Sequence, residues 1–146
     1  MNKPVSKPMN KDLVRVGDVM TSSVRTIGRM DTVAQAIEAM REAGVSSLVV
    51  ERRDPFDEYG LVTISHIAGE VIANDRPAER VNVYEVMSKP VLTLPIDMQT
   101  KYAVRLLVEF KLTRALVVDQ SRIPVGIVTL RDMVLRHAEV KAFIRQ

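Results

Sequence analysis

Two stretches end in side chains able to hold a polar ligand, GLVTISH (60–66) and GIVTLRD (126–132). Each puts a threonine three residues before a group that can hydrogen-bond. The two oxygens of the Asp132 carboxylate can accept from both hydroxyls of a diol such as ribose. Charge-assisted bonds of this kind contribute about 1.5–3 kcal/mol each. His66 stands where the first copy should carry its carboxylate. A neutral imidazole has one acceptor nitrogen and a charged one has none. The first copy is therefore expected to hold a ribose more weakly, or to hold something else. A plainer reading runs alongside. Thr129 and Asp132 also suit a simple helix start, where an anion is favoured, and His66 reads first as a helix-start residue satisfied by backbone.

Other chemistry finds little support. The chain has no cysteine, which removes thiolate and disulfide chemistry. It has no GxxxxGK loop and no HExxH pair. His66 and His137 stand far apart without ligand spacing, so no metal site is expected. No nucleophile elbow or acid–base dyad is evident, and a stand-alone enzyme is not expected. A formal charge of +3 permits an anionic partner without demanding one. Lys3, Lys7, Lys11 and Arg15 make the N-terminal tail basic, as Arg131, Arg136, Lys141 and Arg145 do the last helix. With three Tyr, three Phe and no Trp, stacking on nucleic acid is poorly served. Apolar runs of four or five residues, such as Ala115–Val118, are too short to span a bilayer. The start, MNKPVSKPMNKDL, lacks a signal-peptide core. A cytoplasmic location is the expectation.

The elements that must carry Thr63, His66, Thr129 and Asp132 come as a repeat. VGDVMTSSVRTI (16–27) returns as VYEVMSKPVLTL (83–94), and SSLVVE (46–51) as RALVVD (114–119). Each copy opens with a segment ending in Val-Met and a brief extended stretch, Val24–Ile27 or Val91–Leu94. A helix follows. In DTVAQAIEAMREAG, Asp31 is the expected N-cap and Gly44 the stop, with Val33, Ala36, Ile37 and Met40 on one stripe. In DMQTKYAVRLLVEFK, Asp97 is the expected cap, with Ala103, Leu107 and Phe110 inward. Val104 and Val108 suggest a second buried face. Paired strands come next, Ser47–Glu51 with Gly60–Thr63 and Ala115–Asp119 with Val125–Thr129. Closing helices are expected over about Ser65–Ala73 and Leu130–Ile144. The fold class is thus α/β, β-α-β-β-α twice. The expected boundaries are a tail over 1–12, a first domain over 13–74, a linker over 75–82 and a second domain over 83–146. One such unit has little core alone, so packing about a pseudo-two-fold axis is expected.

VMTSSVRTI, GVSSLVV and GLVTISHI, answered by VMSKPVLTL, TRALVVD and GIVTLRDM, resemble tandem CBS domains, the Bateman module, over about residues 13–138. The resemblance implies two domains packed by their sheets, with clefts between them that commonly bind adenine nucleotides. Less often they bind NAD or S-adenosylmethionine. It also implies frequent dimerisation and roles in signal transduction or energy sensing.

Carried onto this sequence, the resemblance makes Asp132 the ribose ligand, with the Thr129 hydroxyl near sugar or phosphate. Ser22, Ser23, Val24 and Arg25 would border the base, Val45 and Ser46 its edge, and Ile127 would lie beneath it. Arg114 takes the position of a phosphate-binding base, its planar fork suited to phosphate oxygens. A surface Arg at a strand start is the equal alternative. Arg131 lies beside the site. A second, degenerate site would be lined by Thr63, His66, Lys89, Val91 and Leu92, with Lys89 the candidate phosphate contact and Ser47 or a neighbour where Arg114 would be. Arg52 and Arg53, in the loop ERRDPFDEY, could reach a phosphate chain, but a mixed-charge loop reads first as solvated.

Together these readings describe a stand-alone sensor that binds an adenosine ligand and needs no cofactor. It would act as a homodimer on an effector protein that the sequence does not name. The alternatives are a ligand-independent dimerisation scaffold, in which the C-terminal helix with Val140, Phe143 and Ile144 matters, and a nucleic-acid-binding protein.

Overall fold

The computed structural model describes residues 13–145, with side chains described through residue 139. The basic tail over 1–12 and the side chains of Val140, Lys141, Phe143, Ile144 and Arg145 lie outside the described residues. The chain divides into two compact units that cut across the sequence repeats. One is Val24–Val91; the other joins the described residues up to Ser23 with those from Leu92 onward.

In Val24–Val91, β1 (Thr26–Ile27) runs parallel to β2 (Ser47–Val50), which pairs antiparallel with β3 (Gly60–Thr63). Between β1 and β2 lies a helix, Val33–Ala43. Its N-cap is Thr32, one residue after the expected Asp31. The Thr32 hydroxyl accepts from Gln35 N–H at 3.1 Å, and Gln35 Oε1 accepts from Thr32 N–H at 2.8 Å. Ala34 stands three residues after Asp31 and can return no such bond. Asp31 instead accepts from Gly28 N–H at 2.9 Å, closing the turn before the helix. The helix stops at Gly44, whose φ of 67° is left-handed, a conformation that glycine adopts without strain.

Val33, Ala36 and Met40 are buried against Ile27, Leu48, Val50 and Val62, with Ile37 partly buried at the edge. The closing helix is only Ile64–Ile67, continued by a π-helical turn over Ala68–Ile72. The segment that opens the second sequence repeat completes this core through Val81, Val83 and Val86. There Glu85 accepts from Asn82 N–H at 2.9 Å and pairs with Arg76 at 2.9 Å. The Asn82 N–H, and then the Arg76 guanidinium, hold its carboxyl below the usual range.

The other unit repeats the plan. Its opening helix Val16–Val19 precedes β4 (Thr93–Pro95), parallel to β5 (Arg114–Val118), which pairs antiparallel with β6 (Pro124–Thr129). The helix Thr100–Phe110 starts after Gln99 and has no side-chain cap, so the expected Asp97 cap is not used. The Thr100 N–H is taken instead by the Val14 carbonyl at 2.8 Å, which satisfies one of the open donors of that helix end. Thr100, Ala103 and Leu107 face the core. Phe110 and Val108 are 56% and 62% exposed, against expectation, because the single sheet covers one stripe of the helix. Val104 alone of the expected second face packs on the core. The last helix is Leu130–Arg145.

In both units the opening segment of the other sequence repeat lies on the third strand. Thr21 N–H and carbonyl pair with Ile127, and those of Ser88 with Leu61. Glycine permits the approach. A Cβ on Gly126 would stand 2.5 Å from Met20 Sδ and 2.8 Å from the Thr21 carbonyl. One on Gly60 would stand 2.7 Å from Met87 Sδ.

Candidate functional site

The corner where the third strand turns into the next helix is built twice, and the copies differ in how their end residue is used. In the second copy the Thr129 hydroxyl accepts from Asp132 N–H at 3.0 Å, fixing the first turn of the helix. Among the described residues the Asp132 carboxylate returns no bond to the Thr129 N–H. Its side chain is 38% exposed, and Arg131, itself 80% exposed, comes within 3.8 Å. The carboxylate is partly exposed, and the backbone bond that fixes the helix start does not use it.

In the first copy the Thr63 hydroxyl accepts from His66 N–H at 3.1 Å, and the imidazole returns the bond, Nδ1 accepting from Thr63 N–H at 3.2 Å. Nδ1 therefore carries no proton. The neutral ring then holds its hydrogen on Nε2, which lies 3.1 Å from the Ser88 hydroxyl. The single acceptor nitrogen of this tautomer is spent on the backbone. The plainer reading of His66, a helix start satisfied by backbone, describes this geometry.

Strand register places the remaining candidates. Arg114 stands opposite Thr129, and Ser47 stands opposite Thr63. Ser47 is thus the counterpart of Arg114, and the first copy has a hydroxyl where the second has a guanidinium. Ile127, half-buried in β6, is hydrogen-bonded to Thr21, so the exposed Ser22 and Ser23 follow directly from that strand. Thr129, Asp132, Arg131, Arg114, Ile127, Ser22 and Ser23 all belong to one unit, whereas Val24, Arg25, Val45 and Ser46 belong to the other.

In that other unit, Arg25 lends its carbonyl to Val49 N–H at 2.9 Å, and Ser46 lends its own to Ile64 N–H at 3.0 Å. Val45 packs on the core. Thr63, His66, Lys89 and Val91 share this unit, but Leu92 falls in the first, where it packs on the core and accepts from Leu116 N–H at 2.9 Å.

Two residues of the first copy escaped the sequence reading. Ser88 was legible as the counterpart of Thr21 in the VMT/VMS echo. Asp57, in the loop before β3, pairs with Lys89 at 2.7 Å, and no repeat position announced it. Among the described residues no three His, Asp or Glu side chains cluster as a metal site requires.

Residues 16–73 and 83–139 each match the CBS domain family. The chain belongs to the CBS domain family. This CBS pair is 31% identical over 122 residues to an uncharacterised protein of Methanopyrus kandleri, covering 82% of this chain. The chain spans 61% of that relative, less than two thirds of its length. A hexameric CBS-CP12 protein from bloom-forming cyanobacteria is 31% identical with a TM-score of 0.82, over 88% of this chain and 73% of that one. The CBS domain of a bacterial CNNM/CorC family Mg2+ transporter, solved with ATP, is 20% identical. It shares the fold at a TM-score of 0.72, over 90% of this chain and 92% of that one. Among the described residues no helix of the CBS pair is long and apolar enough to cross a membrane.

Proposed function

We propose that this CBS pair is a non-catalytic regulatory module that binds an adenosine-containing ligand at the second-copy corner. Asp132 would accept from the ribose hydroxyls, Thr129 would lie at the sugar or phosphate, and Arg114 with Arg131 would supply positive charge. Ser22, Ser23 and Ile127 would meet the base. Val24, Arg25, Val45 and Ser46 are the further positions that the family likeness nominates. The observation that carries this reading is the 3.0 Å bond from Asp132 N–H to the Thr129 hydroxyl, which fixes the helix start without consuming the carboxylate. Support for the ligand class comes from the ATP bound to the transporter's CBS domain.

Regulation follows if the ligand has different affinities for two conformations of the chain, since equal affinity shifts nothing. The changed surface would then be read by a second copy or by an effector protein in the cytoplasm. Titration calorimetry with AMP, ADP, ATP, NAD and S-adenosylmethionine tests this. At least one should bind saturably to the native chain and be weakened at least ~tenfold in Asp132→Ala. Silence from all five favours a second reading, a dimerisation scaffold. That reading is favoured by the exposed Tyr102, Val108 and Phe110 on one helix and Val134 and Leu135 on another.

A further inference from the structure

The loop between β2 and β3 reads in sequence as a solvated run of mixed charge, yet it is folded around a carboxylate. The Asp57 side chain is only 7% exposed. Its Oδ2 accepts from Arg53 N–H at 2.9 Å and from Arg53 Nε at 3.3 Å. Its Oδ1 lies 2.7 Å from Lys89 Nζ. The rest of the loop holds that carboxylate in place. Asp54 accepts from Phe56 N–H at 2.8 Å, and the Arg52 guanidinium lies 4.7 Å from the Tyr59 ring centre. Lys89 in turn follows Ser88, whose hydroxyl touches His66 and whose backbone pairs with Leu61. The loop thus delivers a negative charge to Lys89, the residue after Ser88 at the first-copy corner.

We infer that Asp57 is a built-in anion which occupies Lys89 and makes the first-copy corner refuse phosphorylated ligands. The inference rests on Lys89 being the phosphate-facing group of that corner, and it deepens the proposed function by restricting phosphate-bearing ligands to the Asp132 copy. A phosphate approaching Lys89 must displace a carboxylate that also keeps two bonds from Arg53. It meets the negative charge of Asp57 until it does so. The Lys89 ammonium, and then the Arg53 N–H, hold the Asp57 carboxyl well below the usual carboxylate range. The clasp is therefore charged throughout the neutral range and does not switch with physiological pH. Together with a neutral His66 whose acceptor is used, this leaves the first copy suited only to ligands without an anionic tail.

Acylation of Lys89 by acetic anhydride in the full-length chain, followed by peptide mass spectrometry, with and without sodium pyrophosphate, tests the inference. In the native chain pyrophosphate should leave the Lys89 rate unchanged. In Asp57→Asn, Lys89 should react several-fold faster, and pyrophosphate should now protect it. Calorimetry should show one pyrophosphate site more in Asp57→Asn than in the native chain, removed again in Asp57→Asn/Lys89→Met. Protection of Lys89 in the native chain overturns the inference without reference to any variant. So does an Asp57→Asn chain of native circular dichroism whose Lys89 gains neither reactivity nor protection. The acylation of Lys89 does not pass through the Asp132 corner, so a failure of nucleotide binding at the second copy is seen separately.

Discussion

The two strand-to-helix corners share a backbone and differ in what their last side chain is left to do. Thr63 and Thr129 make the same bond to the N–H three residues on, at 3.1 and 3.0 Å. His66 then closes the ring by accepting from Thr63 N–H, whereas the Asp132 carboxylate stays partly exposed. A duplicated scaffold can thus retain its local stability while one copy spends its polar group on itself and the other leaves it partly exposed. The cations differ in the same sense. Arg114 lies opposite Thr129, whereas Ser47 lies opposite Thr63, and the nearby Lys89 already faces Asp57.

The largest expected effect tests whether the copies share a scaffold at all. Met40 and Leu107 are counterparts, each buried on the core stripe of its helix, at 2% and 0% exposure. Met40→Ala and Leu107→Ala should each destabilise by about 2–5 kcal/mol in chemical denaturation. A surface-like cost for either would break the equivalence. Next comes the functional asymmetry. Asp132→Ala should weaken nucleotide binding by at least one charge-assisted bond, about 1.5–3 kcal/mol, roughly tenfold to a hundredfold in Kd. His66→Ala should leave nucleotide affinity unchanged and lower Tm.

Gly60→Ala and Gly126→Ala force a methyl group onto Met87 and Met20. They should cost about 1–3 kcal/mol each, with Gly126 the worse because the Thr21 carbonyl is also within 2.8 Å of the added carbon. Thr63→Ala and Thr129→Ala remove matched caps and should cost about 0.5–2 kcal/mol apiece by thermal melting.

The smallest effect is in acid. Asp57 and Glu85 both have lowered carboxyl pKa values in the folded chain, so their contribution is complete above the ordinary carboxylate range, near pH 4. It is lost as pH falls below that toward the depressed values. Asp57→Asn should therefore narrow the Tm difference between pH 7 and pH 3.

The repeat made most of the fold legible, because the short continuous apolar runs of β2, β3 and β5 and the Val33–Met40 stripe are dictated by burial. Helix starts were less so. Asp31 and Asp97 look like caps, but Gln35 favours Thr32 by returning a bond, and Val14 supplies the start at Thr100 through a backbone carbonyl that no side-chain pattern records. Phe110 read as core because spacing fixes a stripe without saying where the sheet beneath it ends. At the two strand-to-helix corners, the matched places of Thr63 with His66 and Thr129 with Asp132 were legible from the paired motifs. Asp57 was not, since an ion pair to Lys89 joins residues that no periodicity links.

The number of nucleotide sites per chain tests the central claim most directly. Equilibrium titration of the native protein with whichever nucleotide binds should give one site per chain, weakened at least ~tenfold in Asp132→Ala and unchanged in His66→Ala. Two equivalent sites per chain, or a single site that keeps its affinity in Asp132→Ala and loses it in His66→Ala, would contradict the account.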